Sequence, residues 1–238
     1  MFDGLKSGNI TGVYILEGNQ KDPKILEVIM QARAEKVETK VIDSSSFSQI
    51  VRNYDKHQGI AALSKKNTIV DIAGFLDKVG DQKHICVVVL TEIEYEQNLG
   101  AILRTLDAAG IDGVIISSRI KNYDSMVVKR VSMGASESVV TMVQNIFVSA
   151  KTLKENGFKI IGVESTGSDL YVNEDFSGRI ALVFGGEDKG LSQPVIDFCD
   201  KIVSIPMLGN VTSLNVSVSV GVTVYERLRQ VVSYEQKN

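Results

Sequence analysis

The chain has 238 residues, a formal net charge of −3, 44% hydrophobic residues and 23% charged ones. That length holds one large domain or two modest ones with full cores, and a slightly acidic balance argues against wrapping nucleic acid by bulk charge. His57 and His84 sit in no ligand-like cluster, so no metal is expected, and Cys86 and Cys199, far apart and without CxxC spacing, read as small buried hydrophobes in a reducing cytosol.

The opening residues "MFDGLKSGNI" lack an apolar signal core, and no run reaches the roughly 18–20 apolar residues of a membrane span. The first elements form a small α/β unit. "TGVYILEG" (11–18) reads as a strand, and 22–36 as a helix with Asp22 as N-cap and Pro23 in its first turn. A strand at 37–43, a short helix at 45–53 and a strand at 59–64 follow. The segment from 65 to 83, polar at both ends, reads as the connection between two domains, with boundaries at 1–66, 67–83 and 84–238.

From residue 84 strands and helices alternate: strand 84–93, helix 98–110, strand 112–117, helix 125–133, strand 138–143 and helix 147–157. Strands at 159–165, 179–185 and 200–207 complete the set. Short runs rich in Val and Ile suit strands buried on both faces, hence a mostly parallel sheet covered by helices.

The last segment, "GNVTSLNVSVSVGVTVYE" (209–226), alternates apolar and polar residues like a strand but is far too long for one. As a helix it puts Leu214, Val218, Val222, Tyr225 and Leu228 on one stripe, with Ser217 and Gly221 permitting close backbone approach. Helix is the reading taken, against propensity.

No GxG and no P-loop pattern occurs. Glycines cluster instead in "VFGGEDKGLS" (183–192), where Glu187 and Asp188 follow two glycines that let a ligand approach bare backbone, or that simply make a tight turn. In the helix after Glu96, Leu99, Ile102, Leu103 and Leu106 form the buried face, Arg104 points about 200° away from Ile102, and Asn98 occupies an N-cap position. Arg119, Lys121, Lys129 and Arg130 make a basic strip that contacts phosphates or is a solvated face.

Three segments taken together are more specific. "QNLGAILRTLDAAG" (97–110), "LVFGGEDKGLS" (182–192) and "IPMLGNVTSLNVSVSVGVTVYE" (205–226) resemble the three motifs of the SpoU/TrmH family of RNA ribose 2′-O-methyltransferases, and "KRVSMGASESV" (129–139) is also similar to family sequence. The first 64 residues resemble the small RNA-binding domain of the RlmB-like branch, through "GVYILEG" and "HQGIAA" (57–62). The resemblance implies a trefoil-knotted α/β parallel-sheet domain of the SPOUT type behind a small α/β RNA-binding domain, forming a cytoplasmic homodimer. It implies S-adenosylmethionine (AdoMet) as cofactor, held largely by backbone at Gly185, Ile205 and Leu214 with Gly186 and Met207 nearby. It implies an active site of Asn98, Arg104, Glu187, Ser213 and Asn215, and a guanosine of 23S rRNA as target. A tRNA or adenosine target stays open, as does a catalytically silent RNA-binding or ribosome-assembly factor, although keeping all five polar residues argues against silence. The chain departs from the pattern at Tyr95-Glu96, where many relatives have Asp-Pro, and it begins at a position resembling the first helix of the small domain.

Overall fold

The structure, a computed structural model, describes residues 5, 6, 8, 10–51, 57–64, 70–187 and 189–235. The chain divides into two compact units, Met1–Lys66 and Asn67–Asn238. In the first, β1 (Ile10–Leu16) lies between parallel β2 (Glu38–Ile42) and antiparallel β3 (Ile60–Ser64). Helix α1 (Pro23–Ala34) makes the crossover from β1 to β2. It starts where the sequence says it should: the Asp22 carboxylate accepts the Lys24 N–H at 2.8 Å, and Pro23 needs no partner for a missing N–H. Ile25, Val28 and Ala32 on α1 bury against Val13 and Ile15 of the sheet. Helix α2 (Ser44–Ile50) is capped in the same way by Asp43.

The second unit is a seven-stranded, wholly parallel sheet in the order β6-β5-β4-β9-β7-β10-β8. Its strands are β4 (Ile85–Leu90), β5 (Gly113–Ser117), β6 (Thr141–Gln144), β7 (Lys159–Val163), β8 (Asp169–Leu170), β9 (Arg179–Phe184) and β10 (Lys201–Ser204). Every residue of β4 and β5 is buried, as expected of strands covered on both faces.

Alternation along β4 sorts the core into two layers. Val88 and Leu90 face α4 (Glu96–Ala108), α5 (Met126–Val131) and α9 (Val216–Glu235) through Leu99, Ile102, Leu103, Leu106, Val128 and Val220. Val87 and Val89 face α3 (Ile72–Val79), α7 (Ile146–Glu155) and α8 (Gln193–Phe198) through Phe75, Leu153 and Val195. A short α6 (Ala135–Ser138) precedes β6.

Three sequence expectations change. The segment expected as a 67–83 linker contains α3, which belongs to the second unit; residues 65–69 lie outside the described ones. Asp71 caps α3 by accepting the Gly74 N–H at 2.8 Å, and Phe75 packs onto β5 where Gly113 leaves room, since a Cβ there would lie 3.0 Å from the ring. The strand expected at 138–143 begins only at Thr141, after the α6 turn. Helix α4 begins two residues earlier than expected with Tyr95 as N-cap, so Asn98 is not a cap. Helix α9 forms as expected; along it Val218 and Tyr225 are about half exposed, while Val216, Val220, Thr223, Val224 and Arg227 are buried.

Candidate active site

In a parallel sheet the loops after the carboxyl ends of the strands share one edge, and ligands collect there where the strand order reverses. Here β9 is inserted between β4 and β7, and the loops after β7, β9 and β10 line one cleft of about 290 Å³. That is close to the lower end of small-molecule sites, about 300 Å³.

The turn after β9 makes the floor. Gly186 and Gly190 exchange backbone hydrogen bonds of 3.2 and 3.3 Å, folding the chain back on itself; Asp188 lies outside the described residues. The fold-back is so tight that a Cβ on Gly185 would lie 2.0 Å from the Gly190 carbonyl carbon, so any side chain there would displace the turn. Gly190 itself has φ +60°, a left-handed conformation suited to glycine. The cleft wall is therefore bare backbone at Gly185, Gly186 and Gly190. Ile205, Met207, Ser213 and Leu214 line the same cleft.

A chain of side-chain hydrogen bonds ties the three motif segments together at the rim. Glu187 accepts the Glu94 N–H at 2.9 Å, the Tyr95 N–H at 3.4 Å and the Asn98 Nδ2–H at 2.8 Å. The Asn98 carbonyl oxygen accepts from Asn215 Nδ2 at 3.2 Å, and Asn215 Oδ1 accepts the Ser217 N–H and hydroxyl at 2.9 and 2.6 Å. These last bonds satisfy a free N–H at the start of α9. Asn98 is thus fixed at both ends of its amide, by residues far from it in sequence.

The expected cofactor residues Gly185, Gly186, Ile205, Met207 and Leu214 all line the cleft, as do Glu187 and Ser213. Asn98 and Asn215 join it through Glu187. Arg104 is exposed on α4, outside the cleft lining, and no hydrogen bond or ion pair ties it to another described residue. Arg119 and Lys121 lie exposed in the loop after β5, on the same edge of the sheet; Arg130 is exposed on α5, and Lys129 is half-buried. None of these four lines the cleft.

Sequence reasoning missed Glu164, which follows β7 and lines the cleft. Its Oε2 accepts the Leu191 N–H at 2.6 Å, and its Oε1 accepts the Ser165 N–H at 2.9 Å and hydroxyl at 3.2 Å. Lys189, Thr212 and Ser219 were missed as well. The only signal was a Glu-Ser pair ending a buried strand at the ligand-bearing edge. No group of His, Cys, Asp and Glu among the described residues is arranged to hold a metal ion.

This architecture recurs in known proteins. Residues 85–225 match the SpoU rRNA Methylase family, and residues 3–70 match the family of RNA 2′-O ribose methyltransferase substrate-binding domains. A protein of Staphylococcus aureus (strain COL) assigned to the TrmH family of tRNA/rRNA methyltransferases is 35% identical over 223 residues, covering 93% of this chain and 89% of its own. A crystal structure of an RNA 2′-O ribose methyltransferase aligns with TM-score 0.74 at 25% identity, over 96% of this chain and 84% of the other. The SpoU methyltransferase AviRb from Streptomyces viridochromogenes, in complex with AdoMet, aligns with TM-score 0.76 at 22% identity, over 98% and 88% of the two chains, a likeness of fold. With a doubly covered parallel sheet, a glycine-walled cleft at its carboxyl edge and both sequence matches in register, the chain belongs to the SpoU rRNA methylase family.

Proposed function

We propose that this protein transfers a methyl group from AdoMet to a ribose 2′-hydroxyl of structured RNA, at a guanosine of 23S rRNA. The observation that carries the reading is the hydrogen-bonded run Glu187–Asn98–Asn215, which joins the three motif segments beside the cleft. A purely structural role for these residues would not require three polar side chains to meet at a ligand-sized opening.

The cleft fits AdoMet on two counts. Its glycine walls admit a ligand to backbone N–H and C=O groups, and its carboxylates Glu164 and Glu187 offer acceptors to a cationic, hydroxyl-bearing molecule. Gly185, Gly186, Ile205, Met207 and Leu214 would hold it. When bound, AdoMet supplies the methyl group together with its leaving group. The chain's own work is orientation. Asn98, held by Glu187 and Asn215, presents a fixed amide to the acceptor nucleotide, with Ser213 beside it. Arg104 is exposed and free to take an RNA phosphate in its planar fork, and its charge stabilises the alkoxide that develops at the ribose oxygen. A guanidinium keeps its proton, so positioning is the role assigned to it rather than that of a base.

The same reading gives Met1–Lys66 the task of gripping RNA, and Arg119, Lys121, Lys129 and Arg130 that of meeting phosphates. It makes the protein a cytoplasmic homodimer, paired through the outer stripe of α9, where Val218 and Tyr225 are 48% and 49% exposed. It also gives the 205–215 segment a knotted path on its way to α9. In support, that segment lines the cleft beside the Gly185–Gly190 turn, and α9 approaches α4 closely enough to bring Gly221 next to Thr105.

The test is methylation of total rRNA and tRNA by the purified protein with AdoMet labelled in its methyl group, followed by mapping. Label in a 2′-O-methylguanosine of 23S rRNA is expected. Label confined to tRNA or to adenosine would replace the target. AdoMet binding with no labelled RNA would replace the enzyme by a silent binder.

A further inference from the structure

Glu164 has more capacity than the fold uses. A carboxylate oxygen has two in-plane lone pairs. Oε1 spends both on the Ser165 N–H and hydroxyl. Oε2 spends one on the Leu191 N–H and keeps one, and this oxygen lies over Gly190, where a Cβ would come within 2.2 Å of it. Glu164 is a cleft-lining residue, so the free lone pair belongs to a group at the ligand's own wall.

Its place in the sheet narrows the ligand group. Glu164 directly follows β7, the parallel neighbour of β9, and the glycine turn directly follows β9. A nucleoside laid against bare backbone after one parallel strand brings its ribose to the end of the adjacent strand. An acidic residue standing there accepts a hydrogen bond from a sugar hydroxyl, the arrangement found in dinucleotide-binding sheets. Glu187, the other carboxylate in the cleft, is committed to Glu94, Tyr95 and Asn98 on the opposite side, towards β4. The two carboxylates therefore divide the cleft: Glu187 on the side of the proposed acceptor nucleotide, Glu164 on the side away from it.

We infer that Glu164 is a cofactor-binding residue that accepts one hydroxyl of the AdoMet ribose at Oε2 while its other bonds hold the 190–191 backbone in place. The inference rests on the AdoMet reading of the cleft. It is tested by calorimetry of the full chain with S-adenosylhomocysteine and with its 2′-deoxy and 3′-deoxy forms, for the parent and for Glu164→Gln.

The parent is expected to bind one deoxy form about tenfold more weakly, which is about 1.4 kcal/mol. Glu164→Gln should weaken S-adenosylhomocysteine by a similar factor and bind that deoxy form no worse than its parent compound. A variant that weakens all three ligands equally would make Glu164 a support of the turn alone and overturn the inference. A parent that does not distinguish the deoxy forms would overturn it too, and that measurement stands even if the variant does not fold. Failure of the parent to bind S-adenosylhomocysteine and AdoMet at all would remove the cofactor reading itself, a different and recognisable result.

Discussion

Gly185 is where a single methyl group would do most harm. Gly185→Ala would set its Cβ 2.0 Å from the Gly190 carbonyl carbon, so the turn that lines the cleft must shift. Overpacking of this kind costs about 1–3 kcal/mol, and AdoMet affinity should fall at least about tenfold in calorimetry while the sheet remains folded. Arg104 makes the opposite case. It is exposed and off the buried face of α4, so Arg104→Ala should change stability by no more than about 0.5 kcal/mol. AdoMet binding should persist and single-turnover methylation should collapse, with Arg104→Lys recovering little because the planar fork is lost. Normal turnover in Arg104→Ala would remove its role. The thiols follow from burial: it pushes Cys86 up to about 12 and Cys199 to about 11. Neither should react with an aromatic disulfide reagent at pH 8 until the protein is unfolded. Burial of Cys86 could be read from its Val-rich run, and the Gly-Gly pair announced bare backbone. Glu164 could not be found, because nothing local says that residues 190–191 come down on the end of β7.

At the scale of elements, α9 is the instructive one. Valines at every second position from 216 to 224 look like a strand, and on a helix they fall on both faces. Val216, Val220 and Val224, four apart, are buried; Val218 is not. Sequence spacing offered two equivalent stripes, and only packing against α4 and the sheet chooses between them. Arg227 continues the buried stripe beside Cys86 and Asp112; burial raises the Asp112 carboxyl, and the Cys86 N–H that it accepts and then the nearby guanidinium partly offset this. Val220→Ala, at a fully buried site, should lower stability by about 2 kcal/mol in urea unfolding. Val218→Ser should leave a monomer's stability nearly unchanged but shift light scattering towards the monomer. A monomeric parent at micromolar concentration with AdoMet present would discard the dimer. Helix α3 was legible in principle, since Asp71 precedes Ile72, Phe75, Leu76 and Val79 at helical spacing; the polar ends of the segment hid it.

For the whole molecule, the division at Lys66 sets the experiment. A fragment of residues 67–238 keeps α3, the cleft and all five proposed active-site residues, so it should bind AdoMet as the full chain does. It should lose most rRNA methylation, measured at equal AdoMet occupancy; unchanged methylation would show that the first unit does not grip the substrate. Alternation of strand and helix was enough to foresee a parallel sheet. The strand order was not foreseeable, because hydrophobic runs say that a strand is buried and not which neighbour it takes. Insertion of β9 between β4 and β7 is a long-range pairing with no local signature.

That insertion also governs when the protein can come into being. Strand β4 is made early in the second unit, yet one of its two neighbours, β9, pairs Ile85 with Arg179 and follows only after β5, β6, β7 and β8. On the ribosome the sheet therefore waits with an open edge at its centre, while the first unit is already complete. Pairings so distant close slowly, because loop entropy is lost before any contact compensates for it. Refolding of the 67–238 fragment should take on the order of seconds or longer, with AdoMet binding regained only at the end. Nascent chains stalled before residue 179 should be cut readily by protease throughout the second unit, and chains released after α9 should resist.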